Sequence, residues 1–189
     1  DVNVPDGGAS RHRGIKIDSL SFYGAGGAAT WTDVGIYGHT ANEDNSEITH
    51  CYFNNLATGI DVAFDSGLIA WNICQNLGSD AIRCTGLYNR IASNMCWDCG
   101  GNGIVAYDLA LGGIHSTGFV ICNNTVGHML ATGASVNDPF TNTGAGLFLN
   151  SVTQCSVVNN RFTGGRKGAI TDGGSDHSFT GNVIGGTNG

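Results

Sequence analysis

Gly59-Ile60-Asp61-Val62 is followed, thirteen residues after Gly59, by Asn72-Ile73-Cys74, and Ala81-Ile82-Arg83-Cys84 is followed at the same distance by Asn94-Met95-Cys96. The two copies start 22 residues apart, and Gly103-Ile104 opens a third copy 22 residues later. A fixed period between about 20 and 50 residues marks a solenoid, because each repeat buries its apolar face only against the next one.

Working outward, a six-residue frame with period-two alternation recurs at 17–22, 48–53, 69–74, 91–96, 121–126, 157–162 and 179–184. Alternation of this kind reads as a strand. The fourth position of the frame holds Leu20, Cys51, Asn72, Asn94, Asn124, Asn160 and Asn182. The other half of each repeat opens on a small residue and an aliphatic one: Gly35-Ile36, Gly59-Ile60, Ala81-Ile82, Gly103-Ile104, Gly146-Leu147 and Ala169-Ile170. Two residues beyond the aliphatic stand Gly38, Val62, Cys84, Ala106 and Leu149, which puts that face inward; Asp172 breaks the rule in the last copy.

Successive frames are 31, 21, 22, 30, 36 and 22 residues apart. The excess over 22 predicts insertions near 38–47, 109–118 and 127–145, where a regular scaffold would carry function. No 3.6-residue apolar stripe persists for ten residues, so a helical solenoid is excluded. The pattern predicts an all-β, parallel β-helix of about seven coils of about 22 residues, a single domain over 1–189 with a lead-in at 1–13 and coils at 14–186. At about 4.8 Å per coil it would be roughly 30 Å long. The Asn column has a physical reason. An amide carries a donor and an acceptor, so stacked copies bond both to the buried turn and to one another.

Composition agrees with many short strands and tight turns: 31 Gly, two Pro, 41% hydrophobic and 12% charged residues in 189. The net charge of -7 argues against a nucleic-acid partner or an anionic membrane surface. No run of 18 apolar residues is present, so no membrane insertion is expected. A chain opening on Asp1 is expected to be a segment of a longer one. Of the seven cysteines, Cys74, Cys84 and Cys96 fall on core positions and are expected to be small buried hydrophobes, which suits folding in a reducing cytoplasm. Cys96-x-x-Cys99 has no second pair and no His at ligand spacing, so neither a metal nor a cofactor is expected.

The Ile/Val-x-x-Asn frames with Gly-Ile strands resemble the pectate-lyase-like superfamily of right-handed β-helices over about residues 14–186. That superfamily includes pectin-degrading enzymes and bacteriophage tailspikes. Its polygalacturonase branch places acids or a His before the Gly-Ile strands, where this chain has Thr58, Ser79-Asp80 and Asn102. Asp80 alone matches, and an inverting glycosidase needs two carboxyls. The tailspike resemblance implies a polysaccharide on the outward face of stacked strands.

Here one outward column reads Tyr37, Asp61, Arg83, Val105, Phe148 and Thr171, and the next reads His39, Ala63, Thr85, Tyr107 and Asn150. Tyr37, His39, Arg83 and Tyr107 are the expected substrate-binding residues, since rings stack on sugars and charged groups bond hydroxyls. Asp80 is the candidate acid, with Asp61 or Asp108 as its partner, for a glycoside hydrolase. The other reading is a non-catalytic structural or adhesive module, a homotrimer or filament packed through coil ends, at a virion or extracellular surface. Asp61 and Arg83 would then be a cross-strand surface pair, and Asp80 a turn residue. The His residues form no column, and Trp31, Trp71 and Trp97 form no row.

Overall fold

The computed structural model describes residues 2–3, 14–24, 33–108, 115–129, 144–165 and 170–185. Most of the expected lead-in, Trp31, and the greater parts of the two later insertions lie outside the described residues.

Three parallel sheets wind around a common core, and every neighbour within a sheet comes from the previous or the next turn of the chain. Sheet A contains Val34–Asp44, Thr58–Asp65, Ile82–Thr85, Ile104–Tyr107, Leu147–Asn150 and Ile170–Asp172, with Val2–Asn3 at one edge. Sheet B contains the strands from Lys16–Asp18 to Ser178–Thr180, and sheet C those from Ser21–Tyr23 to Val183–Ile184. The protein is a parallel β-helix, and the 22-residue period is its coil. Ile60 pairs with Ile82, and Ile82 with Ile104, so residues one period apart stack directly. The expected insertion after Gly38 is a bulge within one long strand, where the register shifts between Gly38 and Glu43.

Inward positions form continuous apolar columns. Ile60, Ile82, Ile104 and Leu147 line sheet A, Ile48, Ile69, Ile91 and Ile121 line sheet B, and Phe53, Cys74, Cys96, Val126 and Phe162 line sheet C. Phe22 stacks on Phe53 with ring centroids 4.9 Å apart. Each large side chain buried this way contributes roughly 1.5–3 kcal/mol. All seven cysteines are free and buried.

The corner from sheet B to sheet C is a single left-handed residue followed by the Asn position. Ser19, His50, Trp71, Ser93, Asn123 and Asn159 all have φ between 53° and 58°, and Gly181 has φ 66°. None of these is β-branched, as a left-handed backbone requires. Asn94 shows the bonding at its simplest: its Nδ2 donates to the Ile69 carbonyl and to Asn124 Oδ1, while its Oδ1 accepts from the N–H and Nδ2 of Asn72. Asn124 and Asn160 repeat the arrangement, and Asn72 opens the column by accepting from the Cys51 N–H.

Candidate functional site

The outward side chains of sheet A stand in the expected order. Tyr37 is opposite Asp61, Asp61 opposite Arg83, Arg83 opposite Val105, and Val105 opposite Phe148. The face is not an open platform, however. Ala63, Thr85, Val105 and Tyr107 point away from the core and are nevertheless buried, at 7%, 4%, 0% and 1% exposure. Tyr37 is the exposed member, at 45%.

Asp61 is the centre of the arrangement. Its Oδ1 lies 2.7 Å from His39 Nε2 and accepts a 3.0 Å hydrogen bond from the Tyr107 hydroxyl. Its Oδ2 lies 3.7 Å from Arg83 Nη1. The His39 ring stacks on Tyr37 at 4.7 Å, and the Arg83 guanidinium sits 5.7 Å above the Tyr107 ring, an arrangement that favours the cation. Small neighbours in its column, Thr85 and Ala63, leave room for the Tyr107 ring to reach back toward Asp61. Burial, then the charge of Asp61, pushes the Tyr107 phenol far above its ordinary pKa, so it stays a donor. The side chains of His39, Asp61 and Arg83 retain 19%, 11% and 14% exposure, and with Tyr37 they form the part of the cluster that meets solvent.

Tyr107 therefore departs from the expected sugar-stacking role. Its ring is covered, and it acts on Asp61 through its hydroxyl. Asp80 does join the cluster, since its Oδ2 is 3.7 Å from Arg83 Nε, so one guanidinium touches both carboxylates. But Asp80 Oδ1 accepts from the Asn102 N–H at 2.6 Å and from Asn102 Nδ2 at 3.0 Å, and the residue is 2% exposed. Asn102 in turn accepts from the Ala145 N–H. Asp80 and Asn102 thus form a second polar column at the corner from sheet C to sheet A. Asp108 forms a separate pair with His115, 2.7 Å between Oδ2 and Nδ1.

The contact of His39 and Tyr107 with one carboxylate was not read from the sequence, although the two small residues between them in the column were a usable signal. Two further pairings were missed: Trp71 stacks on His50 at 5.1 Å, and Trp97 on His128 at 6.1 Å.

The NosD family, described as "Periplasmic copper-binding protein (NosD)", matches residues 9–188. The chain belongs to the NosD family. Among solved structures, DFA-IIIase from Arthrobacter chlorophenolicus A6 in complex with DFA-III is similar, with a TM-score of 0.71 and 19% identity over 92% of this chain. That likeness shows the fold, and the NosD-family chain corresponds to 38% of the enzyme's length. No curated protein matches.

The family's description raises copper, and the described residues do not fit a copper centre. No three of their His, Cys, Asp and Glu side chains converge. His39, His50, His115 and His128 each face a carboxylate: Asp61, Asp18, Asp108 and Asp98. Copper(I) seeks thiolates, and the seven free cysteines are all buried in the core.

Proposed function

We propose that this NosD-family chain is a carbohydrate-binding or carbohydrate-processing β-helix whose saccharide lies beside Tyr37, over His39, Asp61 and Arg83. The observation that carries the reading is the convergence of His39, Tyr107 and Arg83 on Asp61 next to an exposed tyrosine ring. Four coils contribute to this group, Tyr37 and His39 from one and Asp61, Arg83 and Tyr107 from the next three, and among the described residues no coil repeats it. Tyr37 supplies a stacking face for a sugar ring. Asp61 and Arg83 supply a charged acceptor and a charged donor for hydroxyls. The carbohydrate-processing DFA-IIIase shares the fold, which supports the same substrate class. The compartment we assign is the one in the family's description, the periplasm.

Hydrolysis by two carboxylates requires both to reach the glycosidic bond and its water. Asp80 is covered and committed to its turn, so Asp61 and His39 are the acid–base groups offered here, with Arg83 holding the substrate. The test is isothermal titration and product chromatography with a panel of neutral and mildly anionic polysaccharides. Wild type should bind, and Asp61→Asn and Tyr37→Ala should each weaken binding about tenfold, a loss of about 1.4 kcal/mol. Equal affinity in wild type and Asp61→Asn would remove the site.

A second reading has its own support. Asp61 is satisfied internally by two hydrogen bonds and a guanidinium, as a structural clamp between coils would be. A non-catalytic shaft or adhesive unit, assembled as a trimer or filament at a virion or cell surface, would use it so. Loss of stability in Asp61→Asn with no glycan bound by wild type would favour that account.

A further inference from the structure

The outer face of sheet C is a different side of the rod, and it carries a feature that the Asp61 cluster does not explain. Its outward columns place Tyr52, Ile73 and Met95 in successive coils, beside Asn54, Gln75 and Trp97. Ile73, Gln75, Met95 and Trp97 line an open, shallow depression of about 180 Å³, smaller than the roughly 300–1,000 Å³ usual for sites that enclose a small molecule. No charged side chain lines it.

Trp97 is held in a particular way. Its partner in the next coil is Gly127, where a Cβ would come within 2.3 Å of Trp97 Cζ3. The benzo ring therefore lies on bare backbone, with the His128 ring stacked at 6.1 Å, and the residue keeps 38% exposure. Beside it, Gln75 Oε1 accepts from the Tyr52 hydroxyl at 3.5 Å, and that hydroxyl accepts from Asn54 Nδ2 at 3.0 Å. The Gln75 amide is thus oriented at the rim of the depression.

We propose that this depression binds a neutral oligosaccharide, with one sugar ring on the Trp97 indole and its hydroxyls bonded to the Gln75 amide. A flat aromatic face matches the apolar face of a sugar ring, and an amide both donates to and accepts from a hydroxyl. The neutral lining selects against charged ligands. The site is separate from the Asp61 cluster and stands or falls independently of it.

The experiment is an array of neutral glycans probed with wild type, Trp97→Ala, Gln75→Leu and Asp61→Asn, followed by titration of the best binder and by sedimentation of each variant. Trp97 lies outside the core, so Trp97→Ala should fold as wild type does, with only a small loss of melting temperature from its contacts with Gly127 and His128. It should weaken binding about tenfold, Gln75→Leu should weaken it a few-fold, and Asp61→Asn should leave binding at this site unchanged. Three results would overturn the proposal: no neutral glycan bound by wild type, affinity insensitive to Trp97→Ala, or a change of oligomeric state in Trp97→Ala that shows a second copy covering the face.

Discussion

The Asn corner and the Asp61 cluster bury polar groups in the same coils, but in opposite styles. At the corner, Asn72, Asn94, Asn124 and Asn160 make the same bonds one coil after another, and each closes the turn beneath it. On sheet A, His39, Asp61, Arg83 and Tyr107 appear once each and bond across coils to a single carboxylate. A repeated polar residue solves a problem that every coil has, namely unpaired backbone at a buried turn. A polar group present once solves a problem that the fold does not pose. In a solenoid that contrast separates scaffold from site.

Substitutions can break this contrast, and the largest effect is expected at the corner. Asn94→Ala leaves the Ile69 carbonyl and the Asn72 N–H without their partner. It should destabilise by about 1–3 kcal/mol, read as a lower midpoint in chemical denaturation. Unchanged stability would mean that the column is not a structural element.

Asp61→Asn should cost less, about 1 kcal/mol, because Arg83 keeps Asp80 as a second carboxylate and the amide keeps a hydrogen-bond acceptor. Ligand binding is where it should differ from Asn94→Ala: weakened about tenfold in the first and retained in the second below its melting temperature. A stability loss in Asp61→Asn larger than that in Asn94→Ala would reverse the assignment of scaffold and site.

Tyr107 sharpens the comparison through pH. Its folded pKa is raised and its unfolded one is near 10, so its contribution to stability is complete below about pH 10. Above that, the unfolded chain sheds the proton first, and the contribution is lost as pH rises toward the folded value. Ultraviolet titration should show one of the five tyrosines ionising only as the protein unfolds. Tyr107→Phe should remove that component and destabilise by about 0.5–1.5 kcal/mol at neutral pH. Smallest of all, Tyr37→Ala should change stability by less than about 0.5 kcal/mol, as exposed substitutions do, while still weakening the saccharide. The same ranking puts Cys74, Cys84 and Cys96 beyond the reach of a thiol reagent in the native state, and rapid labelling of all three would contradict the inward columns.

The sequence by itself determined the coil. A period of 22, apolar residues at alternate places, small residues at the strand starts and an Asn at one corner specify which residues stack. The sheet A pairs Asp61–Arg83 and Arg83–Val105 follow from that period, and the small-aliphatic strand starts carry the column across the insertions to Tyr37 and Phe148, because a parallel sheet with a buried face fixes its register. Asp80 shows the limit of this reading. Its spacing to Asn102 is one coil, yet as letters an acid before a strand serves catalysis or a turn equally well. Its burial and its two bonds from Asn102 place it in the turn.

Only the tertiary structure decided how side chains lean from one coil to another. Tyr107 reaches back to Asp61 over small neighbours, Trp97 lies down on Gly127, and His39 enters from a bulged strand whose register shifts. The physical reason is that a solenoid's period sets the positions of Cβ atoms. The direction of a long side chain depends on which neighbours are small enough to leave it room and which polar atom lies within its reach.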